Sequence, residues 1–464
     1  MYLGLCDNGI SITDIARVVE GKLFSENPEA IAYGVSIDSR TLQAGDIFFA
    51  IKGENFDGHD FISAAAKKSA CCVVSEKAPD MNIPYILVSD TTHALGLLAR
   101  EYRRRFSTIT VAVTGSVGKT TTKEFIYSVL DKKYKTNKTD GNFNNEIGLP
   151  LTLFKLNITY KAMVVEMGMS AAGEIAKLSA IAEPDIAVIT NIGTSHIENL
   201  GSREAIRDAK LEIIKGMKED GILILNGDEP LLRNINTGKI CKKYIGIENP
   251  LCHYNAVNIR KTDRGYIFDI DVRNGDYMIY GIETAVCGRH NIYNAISAVV
   301  CGMLLGIPES KIKEGILSYT PVALRSQIEK HDDCTLILDC YNASPESMTA
   351  AAEVLGDVAE KNGGRRVAVL GEMLELGDFS HELHERVGKV YAKGADLLIT
   401  VGENAKYISK GARESGMPDE KIAEISYDSP DAAASNIKKL LRPGDTVLFK
   451  ASRRVALENV ARLI

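Results

Sequence analysis

The sequence contains no CxxC pair, only a modest excess of acidic over basic residues, and no apolar run near the roughly 18 residues of a membrane span. Its nine cysteines are scattered, and only Cys71 and Cys72 are adjacent. That spacing excludes a zinc site and a disulfide framework. It predicts reduced, buried thiols in a cytosolic protein. With 55 Lys and Arg against 61 Asp and Glu, the net charge is −6. Nucleic acid would meet no global basic field, so local Lys and Arg must hold any anionic substrate. The opening stretch "MYLGLCDNGISITDIARVVEG" lacks a basic segment followed by a long apolar core, and no signal peptide is expected. There is no internal repeat, no low-complexity segment and no NKxD guanine-reading motif. No apolar run closes in the paired acids of a Walker B strand. These absences weigh against a GTPase switch or a motor ATPase.

What is present divides into three regions. A chain of 464 residues suggests about three domains. Residues 1–104 carry two short strand-like runs, "DIFFAI" and "ACCVVSE", around a helical "HDFISAAAKKSA", and "EYRRRF" marks a boundary. Residues 105–320 open with the β-branched "STITVAV" and repeat the pattern of an apolar run followed by small or polar residues in "KAMVVEMGM", "DIAVITNIG" and "GILILNGDEP". Strands alternating with helices such as "SREAIRDAKLEIIKGM" imply a parallel sheet. Residues 321–464 repeat the alternation, with strand-like "CTLILDCYN", "RRVAVLGEM", "DLLITVGEN" and "DTVLFKAS". No GxGxxG follows the first of these strands, which disfavours a dinucleotide site.

The stretch "VTGSVGKTTTKEF", Val113 to Phe125, reads as a phosphate-binding loop opening a helix. Gly115 and Gly118 let backbone amides turn inward toward phosphate oxygens, with Ser116 and Val117 between them. The helix starting near Lys119 adds its positive end. Lys119 would reach the β and γ phosphates, and the Thr120 hydroxyl, followed by Thr121, would ligate Mg²⁺. The usual first glycine is displaced: Val113 stands five positions before Gly118, in the place that a motor or GTPase loop gives to Gly.

Two further residues follow strand-like runs. Glu166 ends "MVVE" and His196 follows "VITNIGTS". Ligands of parallel sheets bind at the carboxyl ends of strands, so a carboxylate and an imidazole there suggest metal ligation. Capping or surface roles remain the alternative. Lys210, mid-helix in "EAIRDAKLEI", reads on chemistry alone as part of a solvated face. In "GRHNIYNAISAVV", His290, Asn291 and Asn294 either read a base or cap the helix.

Together these pieces resemble the Mur ligase family, the ATP-dependent amide-bond ligases of peptidoglycan precursor synthesis. "TGSVGKTTT" is similar to that family's TGxxGKT loop, and the resemblance covers almost the whole chain. The blocks "GNFNNEIGLPLTL", "NIGTSHIENLGS", "LDCYNASPESM", "VLGEMLELG" and "FKASRRVALE" are most similar to the member that attaches D-alanyl-D-alanine to a UDP-N-acetylmuramoyl-tripeptide. "SIDSRTLQAGDIFFAIKGENFDGHDF" resembles the family's uridine-nucleotide-binding front domain. Ser344 stands where Asn is common, Ala451 where Gly is common, and "PVALRSQIE" replaces the usual linker while keeping Arg325.

The resemblance implies an α/β protein of three domains. These are a small UDP-binding front domain, a central P-loop ATPase-like domain with a parallel sheet, and a C-terminal Rossmann-like domain. It implies ATP and Mg²⁺ as cofactors, with Thr120, Glu166 and His196 as metal ligands and Lys210 carried as a carbamate. It places His290, Asn291 and Asn294 by adenine, Arg325 near the γ-phosphate, and Asp339 on the ribose side. Ser39 and Arg40 would meet the UDP-sugar. Tyr341, Asn342 and Ser344 would lie near the incoming dipeptide. The implied protein is a cytoplasmic bacterial monomer whose partners are its small-molecule substrates.

Overall fold

The structure is a computed structural model and describes residues 3–5, 9–53, 55–273, 277–331 and 333–464. Among the described residues three larger sheets succeed one another along the chain, beside a two-stranded pairing of Ile10–Ser11 with Ile31–Ala32. The first has five strands in the order 22–24, 85–87, 72–75, 46–49, 34–36, parallel except for the edge strand Lys22–Phe24. The helix Thr91–Arg104 leads out of it, capped by Asp90, whose carboxylate accepts from the amides of Thr92 and His93. Its basic end grips the next sheet's surroundings: Arg100 Nε donates to Glu183 at 3.1 Å, and Arg103 Nη2 donates to Thr110 Oγ1 at 2.9 Å.

The second sheet has nine strands, in the order 277–284, 266–272, 254–261, 241–246, 222–226, 186–189, 109–114, 162–166, 136–138. The strand Ile109–Thr114 sits inside it, nearly all buried, as β-branched residues in a doubly covered parallel sheet should be. The expected parallel sheet is only part of what forms. Tyr266–Val272 and Tyr277–Thr284 add an antiparallel ribbon at one edge. Their alternation of buried and exposed residues is that of a one-sided strand, whereas the parallel strands read as continuous apolar runs.

The third sheet runs 327–330, 334–338, 445–450, 366–370, 397–401, 422–425, and only its first strand is antiparallel. Its long helix, Pro345–Asn362, starts on a Ser344–Ser347 capping box with Pro at its first position and stops at Gly363, φ +68°. One contiguous apolar cluster includes Ile15, Leu98, Val165, Leu225, Met348 and Leu370, so all three units share a core. Among the described residues no helix is long and apolar enough to cross a membrane.

Eight of the nine cysteines lie among the described residues, and all eight are unpaired. The expectation of buried thiols holds for Cys72, Cys252, Cys301 and Cys340 but fails for Cys241, which is exposed on the solvent-facing end of its strand.

Candidate active site

Strand register assembles the site. Val113 lies opposite Glu166 on one side and Val188 on the other. The residues just beyond these positions therefore emerge together at the carboxyl ends of adjacent parallel strands. Gly115 follows one strand, Glu166 closes the second and Thr190 follows the third.

The loop at Gly115 has no room for a side chain. Gly115 adopts φ +148°, and a Cβ there would lie 1.9 Å from Thr190 Oγ1. Gly118, φ +84°, caps the helix Lys119–Leu130, and a Cβ there would meet Asn294 Oδ1 at 3.0 Å. Asn191 holds the loop from the side: its Oδ1 accepts from Val117 N at 2.9 Å and its carbonyl from Ser116 N at 3.1 Å. Ser116 Oγ in turn accepts from Gly193 N at 2.8 Å. Lys119 folds over the loop and donates to the Gly115 carbonyl at 2.9 Å. Burial pulls its amine below the ordinary lysine range, Arg325 pulls the same way, and Glu166 opposes them.

A cavity of about 750 Å³ opens between this loop and the third sheet. Ser116 through Thr121 line it, together with Glu166 and His196. So do His290, Asn291 and Asn294 on one wall and Arg325, Asp339, Tyr341, Asn342 and Ser344 on another. Gly115 does not line it. Ser39 and Arg40 are not brought to this cleft: Arg40 is exposed and pairs with Asp38 at 2.8 Å in the first unit.

Arg325 bridges the two sides. Its Nη2 donates to Thr120 Oγ1 at 3.1 Å, and its guanidinium stacks on the Tyr341 ring at 4.0 Å from the centroid. Both neighbours of Arg325, Leu324 and Ser326, have positive φ, +60° and +50°. Such backbone is costly for residues with side chains and concentrates at functional segments. Asp339 and Lys450 leave adjacent strands together, because Leu338 is in register with Phe449. Lys450 Nζ donates to Asp339 Oδ2 at 2.7 Å and to the Asn342 carbonyl at 3.0 Å.

Several predicted residues have structural duties. Ser344 is the helix cap just described. Asn294 and Asn291 form a chain in which Thr122 Oγ1 donates to Asn294 Oδ1, Asn294 Nδ2 to Asn291 Oδ1, and Asn291 Nδ2 to the Cys287 carbonyl, at 2.8, 3.0 and 2.7 Å. His290 begins the helix His290–Leu304 and keeps a buried Nδ1 without a hydrogen bond among the described residues. Burial, reinforced by Lys450, lowers its imidazole to about 4, against the pull of Asp339 and Asp357.

Lys210 departs most from its reading as part of a solvated face. It lies in the last turn of Arg203–Leu211, not mid-helix, and is 1 % exposed. Burial first, then repulsion from Lys119, drives its amine well below the usual lysine range. A neutral buried amine is the form that carbamate chemistry requires.

Glu166 Oε1 accepts from Asn144 Nδ2 at 2.8 Å, while Oε2 is buried without a hydrogen-bond partner among the described residues. An orphaned carboxylate oxygen on a residue that lines the same cavity as Thr120 fits a hard divalent cation. His196, φ +64°, also borders the cavity, but its Nδ1 faces Glu375 Oε2 of the third unit at 2.7 Å. Asn144, Glu375 and Lys450 were not selected from the sequence. Asn144 and Glu375 lie inside motif blocks whose polar residues are individually unremarkable, and Lys450 ends an apolar strand.

Three segments match described families: residues 113–302 the Mur ligase middle domain, 325–453 the Mur ligase glutamate ligase domain, and 32–103 the Mur ligase family catalytic domain. The chain belongs to the Mur ligase family. It is 38% identical to the UDP-N-acetylmuramoyl-tripeptide–D-alanyl-D-alanine ligase of Bacillus subtilis, with 97% of each chain covered. It is 33% identical to the Escherichia coli protein of the same name, with 98% of each covered. Among solved structures, MurF from Acinetobacter baumannii superposes with a TM-score of 0.87 at 28% identity, covering 97% of this chain and 98% of that one. The MurF ligase of Thermotoga maritima in complex with ADP superposes with a TM-score of 0.82 at 32% identity, covering 92% and 96%. As a Mur ligase, the chain has its phosphate loop and its third sheet facing one cleft.

Proposed function

We propose that this Mur ligase joins D-alanyl-D-alanine to the terminal carboxylate of a UDP-N-acetylmuramoyl-tripeptide, converting ATP to ADP and phosphate. The observation that carries the reading is Arg325, which ties the loop's Thr120 to Tyr341 across the cleft. Whole-length similarity to proteins of that named activity supports it. On this reading residues 1–104 bind the UDP-sugar, with Ser39 and Arg40 toward it. Residues 105–320 bind ATP, and 321–464 face the ATP and the dipeptide. The enzyme works as a monomer in the bacterial cytoplasm.

A carboxylate and an ammonium do not condense in water, so the carboxylate must first be activated. Its oxygen attacks the γ-phosphorus of ATP, the bond to the β-phosphate oxygen breaks, and ADP leaves. The dipeptide ammonium sheds a proton, and its nitrogen attacks the acyl carbon. Phosphate departs with the oxygen that came from the carboxylate. Two anions meet in the first step, so the protein's main task is charge compensation and positioning. Lys119 and Arg325 supply fixed positive charge on opposite sides of the transferring group. Thr120, Glu166 and His196, with Lys210 if carbamylated, would hold Mg²⁺, which neutralises phosphate charge when bound. His290, Asn291 and Asn294 form the base-side wall, and Asp339 faces the ribose side. Tyr341, Asn342 and Ser344 border the acceptor side. The third unit, closed over the loop by Arg325, excludes water that would hydrolyse an acyl phosphate.

Labelling the tripeptide carboxylate with heavy oxygen tests the route. One labelled oxygen should appear in the released phosphate. Phosphate free of label would contradict carboxylate activation.

A further inference from the structure

The cleft's base-side wall is built from two segments that belong to different units. Ala285, Val286, Cys287, His290 and Asn291 supply one part, and Ala350, Ala351 and Val354 of the helix Pro345–Asn362 supply the other. Ala350, Val354 and Asp357 are spaced i, i+4 and i+7, so they share one helix face. One turn beyond the cavity, the Asp357 carboxylate receives three donors from the central unit. They are Tyr266 Oη at 2.7 Å, the Gly288 amide at 2.9 Å and Lys261 Nζ at 2.9 Å. The Asp357 side chain is 11 % exposed, so the contact is largely shielded from water, whereas Lys261 is half exposed and contributes less. Gly288, φ +88°, is wedged: a Cβ there would lie 2.5 Å from His290 Cε1 and 2.8 Å from Val354 Cγ2. Fixing the Gly288 amide therefore fixes the start of the His290 helix against the third unit's helix.

We propose that Asp357 is a positioning residue for the nucleotide, a latch that holds the Gly288 segment on the Pro345–Asn362 helix and so keeps the base-side wall assembled. This rests on the nucleotide reading of the cleft. Asp357 does not line the cavity and touches no reacting group. It acts through Gly288 and His290, which do border or support the wall. Tyr266 extends the latch into the antiparallel ribbon, which gives that edge addition a role in the site. Burial and the bond to Asp357 both push the Tyr266 phenol up, so it stays a donor at any working pH.

The test uses the full chain with Asp357→Asn, Tyr266→Phe and the double variant. ADP binding is read by calorimetry, and KM for ATP and kcat are read with saturating UDP-muramoyl-tripeptide and D-Ala-D-Ala. Asp357→Asn should weaken ADP binding and raise KM for ATP about tenfold, the scale of one charged hydrogen bond. Its kcat should stay within about twofold, since no transition-state contact is lost. Tyr266→Phe should weaken ADP binding about threefold, and the double variant should fall short of the product of the singles, because both act on one carboxylate. If Asp357→Asn fails to fold, Tyr266→Phe alone carries the test. Unchanged ADP affinity in folded variants, strictly multiplicative effects, or a loss confined to kcat would each overturn the latch. ADP binding by the parent chain without dipeptide ligation would refute the ligase reading while leaving the latch measurable. No ADP binding at all would overturn both.

Discussion

Replacing Arg325 by Ala removes the side chain that ties the loop's Thr120 to Tyr341 across the cleft. Three features set the magnitude. Its Nη2 bond to Thr120 and its stack on Tyr341 hold the guanidinium in place, and its Nε is buried without a partner among the described residues. An unpaired buried donor costs about 1–3 kcal/mol, so the site holds a charge whose hydrogen-bonding capacity is not yet used. When an anion enters, a unit charge at about 4 Å and an effective dielectric constant near 20 is worth roughly 4 kcal/mol. Lost in the transition state, that is about a thousandfold in rate. Arg325→Ala should therefore lower kcat about 10³-fold in a coupled ADP-release assay with all substrates saturating. Arg325→Lys should recover about a tenth to a hundredth of the parent rate, because it restores charge but not the planar fork that reaches Thr120 while stacking on Tyr341. A folded Arg325→Ala enzyme with kcat within about threefold of the parent would refute the reasoning.

Gly115→Ala should abolish nucleotide binding, since the new methyl would sit 1.9 Å from Thr190 Oγ1 at a φ of +148°; ADP calorimetry reads this. Lys450→Met should lower the melting temperature sharply, because it leaves Asp339 facing the buried gap of a broken 2.7 Å ion pair, a loss of about 3–5 kcal/mol. His290 is lowered by burial to about 4 in the folded chain, so the unfolded chain binds more protons between that value and the ordinary imidazole range. Its contribution to stability should then fall as pH drops from about 6.5 toward 4, and His290→Asn should flatten that part of the melting-temperature profile. Lys210 should form a carbamate detectable by NMR with isotopically labelled bicarbonate, and the signal should be missing in Lys210→Ala.

The parallel strands and the loop were legible because their signals are local. A β-branched run, two glycines and a Lys-Thr step specify strand, turn and helix within Val113–Thr121. The antiparallel ribbon was not legible, because alternating strands such as Tyr277–Thr284 carry no mark of which sheet they extend. Glu166 could be placed from its strand end, and register then brought it to the loop as expected. Lys210 could not be found from chemistry, since nothing in "EAIRDAKLEI" distinguishes a buried lysine from a solvated one. Only the family resemblance selected it, and its burial beside Lys119 is visible only once the chain is folded. Asp357 was invisible for a similar cause: it sits among other acids and lysines on a helix, and its partners lie 69 and 91 positions away in sequence.

Which amine the cleft accepts decides most directly whether the chain is the D-alanyl-D-alanine-adding ligase. The purified chain is given UDP-N-acetylmuramoyl-tripeptide and Mg-ATP, with either D-Ala-D-Ala or D-Ala alone, and phosphate release and product mass are recorded. Phosphate release that depends on the dipeptide, with a UDP-pentapeptide as product, is the predicted result. Release with the single amino acid instead, or release with neither, would contradict it.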